Sequence, residues 1–420
     1  TILKERERVI INFLIIIQGK MKDKLKRISQ ENHIINKAIE IAFYFSRFAV
    51  GFICIILRIF PIKHNKIVCS SWKGSKCSDN PYYISKQILE KNNDVEIIWL
   101  INKNYNGKIL DGVIRKKNNI WVNLYELATA KVWIDCNWKP YGLLKRKNQL
   151  YVQTWHGSYG LKKIYMDIPE KLQYMEKKLM QHNSQIIDVM ISNSMQTSTI
   201  YRRALRYNGP MLEVGSPRND IFFSDCKTIK CKVKKVFHIE GKKIILYAPT
   251  YRNSLKINQF NLDFNEVIDI LKKKFGGEWV FLIRLHPYNV YDAGSFITYT
   301  NNIINASYYD DMQELLVASD ILITDYSSCM FDFVTNRKKC FLFATDVDEY
   351  KNERDYYFEL DDLPFPLATN SKEMQNNILD FDEKKYQRDL DKLFKQVGLF
   401  ETGKASEVVA DYVINWMENN

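Results

Sequence analysis

The sequence predicts an α/β protein in which an N-terminal helical segment precedes two doubly wound, Rossmann-like domains. From Lys66 onward, short apolar runs with strand character alternate with helical patterns, which is typical of parallel sheets with right-handed crossovers. A length of 420 residues fits two such domains, and a hydrophobic content of 46% supplies their cores. Polar motifs recur where the strands end, and ligands of open α/β sheets lie beyond the carboxyl ends of strands.

The first domain is predicted over residues 66–220, with a helix near Tyr82–Glu90. Its boundary with the second domain is expected around Ser216–Gly241, where Pro, Asp and Lys accumulate. The predicted strands are Ile67–Trp72, Val95–Asn102, Lys131–Asn137, Leu150–Thr154, Asp188–Ser192 and Met211–Val214.

The second domain is predicted over residues 221–420, and its last helix, Val408–Glu418, is expected to return to the first domain. Its predicted strands are Lys243–Ala248, Trp279–Leu285, Ile303–Asn305, Ile321–Thr324 and Cys340–Ala344. The helices expected between them are Asn265–Phe275, Met312–Ala318 and Phe331–Asn336.

The N-terminal segment, residues 1–65, precedes the first predicted core strand and is basic. Thirteen basic and five acidic residues lie between Thr1 and Lys66, which accounts for +8 of the net charge of +12. Such a charge favours anionic partners, either nucleic acid or an anionic membrane surface. The segment is also rich in Ile and Phe, which favours the membrane and makes nucleic acid an unexpected partner.

Two apolar runs lie within this segment. Val9–Ile17 is too short to span a bilayer, and Ile41–Leu57 is at the lower limit and is interrupted by Arg47. In the second run apolar residues recur at helical spacing: Ile41, Phe45, Phe48, Phe52, Ile55 and Ile59. We expect a helix lying in the membrane plane at the cytoplasmic face, as in a peripheral protein, although packing on the protein itself stays open.

The eight cysteines form no CxxC pair and no Cys/His cluster with zinc spacing. Several lie inside apolar runs, where a free thiol behaves as a small hydrophobic group. A reducing compartment without disulfides is therefore expected, and no metal site is predicted.

A candidate phosphate site follows the strand Ile321–Thr324. Asp325-Tyr326-Ser327-Ser328 leads from this strand directly into a helical pattern. Unpaired backbone N–H groups at a helix start, together with two hydroxyls, can hold a phosphate. An ordinary serine N-cap would give the same pattern.

Two motifs follow strands of the first domain. His156 lies beyond Leu150–Thr154, beside Gly157, and a histidine there can accept a proton near neutral pH. Arg218 follows Met211–Val214 within a Gly-Ser-Pro-Arg-Asn-Asp turn and can bind phosphate with two donors. A loop histidine and a surface ion pair are the alternatives.

Two motifs of the second domain place cations beyond strands. Arg252 follows Ala248-Pro249-Thr250, and Arg284 and His286 follow the next strand. Phosphoryl transfer needs positioning and charge stabilisation more than covalent chemistry, and these side chains supply the charge. Their recurrence at successive strand ends favours a shared anion site.

In this order and spacing, QTWHGSYGLKK, GSPRND, ILYAPTYR, RLHP and ITDYSSCMFDF resemble the CDP-glycerol glycerophosphotransferase family, the primases and polymerases of teichoic acid and related capsule polymers. Ser71-Trp72, Gly74 and Asp79-Asn80-Pro81 resemble the family's opening segment. The resemblance extends from Lys66 to the C-terminus. Where the family usually has Thr-Pro after His-Gly, this chain has Ser158-Tyr159, which bears on the identity of the acceptor or polyol.

The resemblance implies a GT-B architecture that binds a CDP-alcohol in its C-terminal domain. It makes His156 the general base and His286 a second catalytic histidine near the pyrophosphate. The substrate-binding residues that it implies are Trp155, Gly157, Ser158, Arg218, Pro249, Thr250, Arg252, Arg284, Ser327, Ser328 and Asp332.

The expected activity is transfer of polyol phosphate from CDP-glycerol or CDP-ribitol to a hydroxyl, with release of CMP. The expected acceptor is a lipid-linked polyprenyl diphosphate or a growing polyol phosphate polymer at the cell membrane. No cofactor is expected, because the CDP-polyol is a substrate. A GT-B glycosyltransferase that uses a nucleotide sugar and a non-catalytic, membrane-associated binder remain the alternatives.

Overall fold

The computed structural model describes residues 33–250, 261–286, 297–347 and 355–420. The apolar run Val9–Ile17 and the predicted substrate-binding residue Arg252 lie outside the described residues.

The strands form two separate sheets, and every pairing within each is parallel. Those of the first sheet are β1 (Lys63–Ser70), β2 (Glu96–Ile101), β3 (Ile114–Lys117), β4 (Ala130–Asp135), β5 (Leu150–Gln153), β6 (Val189–Ser192) and β7 (Met211–Glu213). Those of the second are β8 (Lys243–Ala248), β9 (Trp279–Ile283), β10 (Ile303–Asn305), β11 (Ile321–Thr324), β12 (Lys339–Phe343) and β13 (Leu367–Ala368).

The α-helices connect these strands and cover the sheets. In chain order they are α1 (His33–Ile56), α2 (Asp79–Lys91), α3 (Ile120–Thr129), α4 (Tyr174–Ile186), α5 (Met195–Ala204), α6 (Cys226–Phe237), α7 (Phe264–Phe275), α8 (Met312–Ala318), α9 (Cys329–Val334), α10 (Ser371–Leu379), α11 (Glu383–Val397) and α12 (Ala405–Asn419). A 3-10 segment, Pro217–Phe223, follows β7.

Both sheets run outward from a central strand in two directions. The orders are β3-β2-β1-β4-β5-β6-β7 and β10-β9-β8-β11-β12-β13. Successive strands are therefore added on one side of β1 and then, from β4, on its other side, and the same change occurs between β8 and β11. These topological switch points are where open α/β sheets bind ligands. The predicted fold class, two doubly wound α/β domains after an N-terminal helix, is confirmed.

Each sheet has an apolar core built from its strands and the helices beside them. Val68, Trp133 and Tyr151 are fully buried in the first, and Leu246, Phe281 and Leu322 in the second. The burial follows from the strand sequences, because buried parallel strands are apolar on both faces.

The predicted strands are all present, and their ends differ by a few residues. Lys243–Ala248, Ile303–Asn305 and Ile321–Thr324 match residue for residue. Strand β1 ends at Ser70 instead of Trp72, because Trp72 has a φ of 48°, in the left-handed region that no strand residue adopts.

Several elements were not predicted. The edge strand β3 has four exposed residues, Ile-Arg-Lys-Lys, so it carries no apolar pattern. Within Ser216–Gly241, where the boundary was predicted, lies α6, which carries five lysines and buries Val233. Among its helical neighbours, α6 packs mainly on α8 of the second sheet.

The last helix, α12, lies against the first sheet. It packs on α2, and its Val409, Ala410 and Val413 join the core on that face. The two sheets are therefore linked by the 3-10 segment after β7 and by the return of the chain into α12.

Among the described residues, helix α1 packs on the first domain through one side. Val50 and Cys54 are buried, and the Phe43 ring stacks on Tyr141 with centroids 4.6 Å apart. The opposite side, continued by Ile59 in the 3-10 turn Leu57–Ile59, presents the residues predicted at helical spacing, which are between 54% and 76% exposed: Ile41, Phe45, Phe48, Phe52, Ile55 and Ile59. We call these six residues the apolar face.

Candidate functional site

His156 lies beyond β5, and the chain after β4 holds its ring. Its Nδ1 is 2.9 Å from the carbonyl oxygen of Cys136. Because a carbonyl oxygen only accepts, Nδ1 carries the hydrogen, and Nε2 is the unprotonated nitrogen of the neutral ring. Burial lowers the pKa of His156 below its ordinary value of 6.5, so the neutral form dominates at pH 7. The geometry therefore presents a proton acceptor at Nε2.

Two indole rings enclose this imidazole. The Trp155 ring stacks on it at 5.0 Å between centroids, and the Trp72 ring lies 4.9 Å away on a tilted plane. Trp155 has a φ of 52° and is fixed by two contacts: its N–H donates to Gln153, and its carbonyl accepts from Asn80. The rings restrict His156 to one orientation, which a general base requires.

Gly157 and Ser158 follow directly. A Cβ added to Gly157 would meet only the Trp155 ring, at 3.6 Å, so the protein itself leaves room there. Ser158 is buried, and its hydroxyl donates to Asp332 of α9 in the second domain. The two residues therefore join the His156 loop to the opposite domain.

Arg218 is the centre of a buried charge cluster that we call the arginine joint: Arg218, Asp79, Ser158 and Asp332. Its Nη1 lies 2.9 Å from Asp79 Oδ1, and its Nη2 lies 3.0 Å from Asp332 Oδ2. The guanidinium also donates to the Ser158 hydroxyl at 3.1 Å and to the carbonyl of His156 at 2.9 Å. The neighbouring carboxylates raise the pKa of Arg218 against the opposing effect of burial.

The joint continues into the chain that returns to α12. Asn219 Nδ2 donates to Asp332 at 3.1 Å and to Glu401 at 2.9 Å. Burial raises the pKa of Glu401 from 4.5 to about 8. Gly215, with a φ of 101°, permits this contact, because a Cβ there would lie 2.7 Å from a Glu401 carboxylate oxygen. Glu401 thus fixes the turn that carries Arg218.

At the second switch point, Thr250 after β8 is bonded to Asp325 after β11. The Thr250 N–H lies 2.8 Å from Asp325 Oδ1, and its hydroxyl donates to the same carboxylate. This contact fixes the strand end next to Pro249. The predicted donor contacts of Thr250 and Pro249 stay a prediction, and the visible role of Asp325 is to hold their loop.

Ser327 and Ser328 are partly exposed at the start of α9. The Ser327 hydroxyl accepts weakly from the Cys329 N–H at 3.4 Å, and the Ser328 side chain makes no cap hydrogen bond within the described helix. Helix α9 has six residues, so its dipole is small. A phosphate there would depend mainly on the two hydroxyls and the local N–H groups.

Lys76, Arg284 and the neutral His286 form a second cluster, which we call the cation group after its lysine and arginine. Arg284 Nη1 donates to the Tyr309 carbonyl at 2.6 Å, and Lys76 Nζ lies 3.5 Å from the next carbonyl, that of Asp310. Burial lowers the pKa of His286 to about 4, with a further contribution from the charges of Lys162 and Lys76. Burial and the Arg284 charge lower the pKa of Lys76 to about 8.

The structure brings His156, Ser158, Arg218 and Asp332 into one network and Arg284 with His286 into another. Residues that the sequence analysis did not assign a role complete both: Asp79, Trp72, Lys76, Asn219 and Glu401. Asp325, also without an assigned role, holds the Thr250 loop instead. Asp79 and Asn219 lie inside quoted motifs, so a role for them was open to inference. Nothing in the local sequence distinguishes Lys76 or Glu401. The substrate contacts of the predicted residues stay predictions.

Comparison with known proteins gives one consistent family. A family model described as CDP-Glycerol:Poly(glycerophosphate) glycerophosphotransferase matches residues 52–415. The teichoic acid poly(glycerol phosphate) polymerase of Staphylococcus epidermidis is 31% identical over 370 residues, which cover 84% of this chain and 51% of that protein. A polymerase of the same name from Bacillus spizizenii is 29% identical over 377 residues, with 86% and 94% covered.

A solved structure of the wall teichoic acid polymerase TagF superposes with a TM-score of 0.76 at 26% identity, covering 95% of this chain and 99% of that one. The predicted GT-B architecture is thereby confirmed. The chain spans about half the length of the first curated relatives it matches.

Proposed function

The chain belongs to the CDP-glycerol:poly(glycerophosphate) glycerophosphotransferase family, and on this premise we propose that it transfers glycerol phosphate from CDP-glycerol. The acceptor is a hydroxyl of a lipid-linked teichoic acid or capsule-type polymer, and CMP is released. The observation that carries the proposal is the His156 imidazole, whose Nδ1 is committed to Cys136 and whose Nε2 is left to take a proton.

In the proposed reaction the acceptor hydroxyl loses its proton to Nε2 of His156. Its oxygen forms a bond to the phosphorus that bears the glycerol. The bond from that phosphorus to the bridging oxygen breaks, and CMP leaves with the electron pair. The transferred glycerol phosphate thereby becomes a phosphodiester of the acceptor, and no redox partner is needed.

Residues of the second domain are proposed to stabilise the negative charge of the diphosphate. Arg284 and His286 follow β9, and Ser327 and Ser328 follow β11, on the carboxyl side of the sheet. Cations and hydroxyls that are fixed before the reaction stabilise charge without reorganisation. Arg218 has a different part, because its Nη groups are bonded to protein acceptors and one of these is the His156 carbonyl. We assign it the positioning of the His156 loop.

The activity is tested with purified protein, CDP-glycerol, CDP-ribitol, and UDP- and GDP-sugars, with mass spectrometry of the products. We expect CMP and a product heavier by one glycerol phosphate per addition. Turnover of a nucleotide sugar instead would support the glycosyltransferase alternative. CDP binding without turnover of any donor would support the non-catalytic binder.

His156→Ala tests the base directly. Its rate should fall by about two to four orders of magnitude, while CDP affinity changes little, because the ring acts on the acceptor hydroxyl. The matched control is His64→Ala, which removes an exposed histidine at the start of β1. A His156 variant that keeps more than about a tenth of the wild-type rate would exclude this role.

We further propose that the apolar face binds the cytoplasmic surface of the cell membrane. Residues Glu40–Ile59 are long and apolar enough for a membrane span by composition, yet Phe43, Val50 and Cys54 are committed to the first domain. A helix held on one side and exposed on the other suits an interfacial position. The basic residues of the N-terminal segment add attraction to anionic lipids.

Vesicle co-sedimentation tests this arrangement with Phe45→Ser, Phe48→Ser and Phe52→Ser combined. Binding to anionic vesicles should weaken by more than tenfold, since each buried aromatic side chain contributes about 1.5–3 kcal/mol. Val236→Ser, on an exposed position of α6, is the matched control. Unchanged vesicle binding by the triple variant would show that another surface contacts the membrane.

A further inference from the structure

The loop after β1 adopts a costly conformation at the first switch point. Trp72 and Lys73 have φ values of 48° and 54°, and Gly74 follows at 78°. A Cβ at Gly74 would lie 2.4 Å from the Asn118 amide, so only glycine fits. Non-glycine residues held in this region cost free energy and persist where the surrounding structure imposes them, often at functional sites.

The loop closes on itself and thereby fixes Lys76. Ser71 and Lys76 form an antiparallel bridge, and the Ser71 hydroxyl donates to the Lys76 carbonyl at 2.7 Å. The Trp99 indole donates to the same carbonyl at 3.4 Å. One end of the loop therefore places the Trp72 ring against His156, and the other end fixes the backbone of Lys76.

Lys76 is directed to the second domain. Two contacts beside it hold the segment before α8 against the first domain: Tyr83 donates to Asp311 at 2.8 Å, and the Lys108 N–H donates to Asp310 at 3.2 Å. Within this contact, Lys76 Nζ approaches the Asp310 carbonyl while Arg284 binds the carbonyl of Tyr309. Two cations from opposite domains thus meet on adjacent peptide groups.

Lys76 lies among charges of both signs. Arg284 faces it from the second domain, and the carboxylates of Asp310 and Asp311 oppose the effect of Arg284 on its pKa. Among the described residues neither Lys76 nor Arg284 forms an ion pair with a carboxylate, and His286 beside Lys76, with a pKa of about 4, is neutral at pH 7. The net effect, with burial as the largest cause, still lowers the pKa of Lys76 to about 8. Gathering cations in a partly buried cleft is unfavourable unless an anion joins them, and a diphosphate carries the required charge.

We propose that Lys76 binds the diphosphate of the nucleoside diphosphate donor from the first domain, opposite Arg284. This assignment rests on the proposed function for the identity of the donor. It makes the donor site complete only when both domains are in contact. It also places a cation on the same loop whose Trp72 packs on the base His156, on the acceptor side of the phosphate.

The test measures affinities of CDP, CMP and inorganic pyrophosphate by calorimetry for wild type, Lys76→Ala and Lys76→Arg. Lys76→Ala should weaken CDP and pyrophosphate about 10- to 100-fold, because a charge-assisted hydrogen bond is lost. CMP should change by less than about threefold, since it lacks the second phosphate. Lys76→Arg should recover most of the CDP affinity, and Lys103→Ala, an exposed lysine of the first domain, should match wild type.

Equal losses for CMP and CDP, or unchanged CDP affinity in Lys76→Ala, would overturn the proposal. Should the alanine variant fail to fold, the wild type still decides. At pH 8, CDP binding should take up protons, measured in buffers of different ionisation enthalpy, because the anion raises the pKa of Lys76. Absence of proton uptake would count against the assignment.

Failure of CDP-polyol turnover would refute the proposed function, whereas the pyrophosphate comparison would still test Lys76.

Discussion

The arginine joint and the cation group both bridge the two domains, yet their charges are arranged in opposite ways. In the joint, Arg218 lies between Asp79 and Asp332, and these carboxylates raise its pKa. In the cation group, Lys76 and Arg284 face each other, and both have a lowered pKa, with burial as the largest cause. The joint pairs its cation directly with two carboxylates, whereas Lys76 and Arg284 form no ion pair among the described residues.

This difference separates structure from binding. Both Nη groups of Arg218 are bonded to protein acceptors, while its buried Nε has no partner within the part of the chain that the structure describes. Removing this arginine would leave the two carboxylates uncompensated. A group of neighbouring cations gains most when an anion arrives. The joint should therefore be essential to stability and the cation group to affinity.

The largest expected effect is that of Arg218→Ala on stability. Breaking a buried ion pair by removing one partner costs about 3–5 kcal/mol, here because Asp79 and Asp332 would remain buried together. Urea unfolding measures the loss. The control is Arg337→Ala, whose pair with Asp391 is about half exposed and should contribute at most about 1 kcal/mol. If both variants lose a similar free energy of unfolding, the joint stabilises the protein no more than a surface ion pair does.

Arg284→Ala should show the reverse pattern. Donor affinity should fall about 10- to 100-fold if Arg284 binds the diphosphate as proposed, because a charge-assisted hydrogen bond is then lost. Stability should change less than in Arg218→Ala, since the substitution removes the repulsion from Lys76 together with the attraction to Asp310 and Asp311. Calorimetry with CDP and urea unfolding measure the two quantities. Arg115→Ala, which removes an exposed guanidinium bonded to the Tyr105 carbonyl, controls for loss of such a contact. A variant that loses stability but keeps CDP affinity would show that Arg284, like Arg218, has a structural role and does not bind the donor.

The strand pattern and the strand-end motifs were readable from sequence because they are local. A short apolar run followed by turn-forming or polar residues predicts both a strand and the loop after it, and β8, β10 and β11 are confirmed to the residue. The tautomer of His156 was not readable. It depends on the carbonyl of Cys136, which directly follows β4, the strand paired with β5.

Which acidic and basic side chains pair with each other could not be predicted from the sequence either. The turn at Arg218 indicated a cation at a strand end, but its carboxylate partners come from α2 and α9, far away along the chain. Glu401 lies between α11 and α12 in a segment without any motif, and Lys76 follows an irregular loop. Which lysine or glutamate is buried is decided by how the two domains meet, and no local pattern encodes that contact.

A smaller effect should appear when Glu401→Gln removes the titration at the edge of the joint. The folded-state pKa of Glu401 is raised to about 8, so the folded protein holds a proton that the unfolded chain releases above 4.5. Its contribution to stability is therefore present below pH 4.5 and is lost as pH rises through about 8, by about 1.4 kcal/mol per pH unit at most. Unfolding free energies at several pH values should show a flatter profile for Glu401→Gln than for wild type. Glu418→Gln, on the exposed end of α12, should keep the wild-type slope, and identical slopes in all three proteins would contradict the assignment.

The smallest expected effect is the position of the acidic limb in the pH profile of kcat/KM, which distinguishes the two histidines. His156 must be neutral to accept a proton, and burial lowers its pKa below 6.5, so activity should persist below pH 6.5 and decline as pH falls through the lowered pKa. His286, in the cation group, has a pKa of about 4 and should not contribute a limb between pH 5 and 8 in the free enzyme.

His156 is bonded through its carbonyl to Arg218, whose charge also lowers the His156 pKa. Arg218→Lys should therefore leave the limb closer to wild type than Arg218→Gln, which removes the charge and should move the limb to higher pH. A wild-type limb at or above pH 6.5, or a limb that moves downward in Arg218→Gln, would show that the joint does not set the proton affinity of the base.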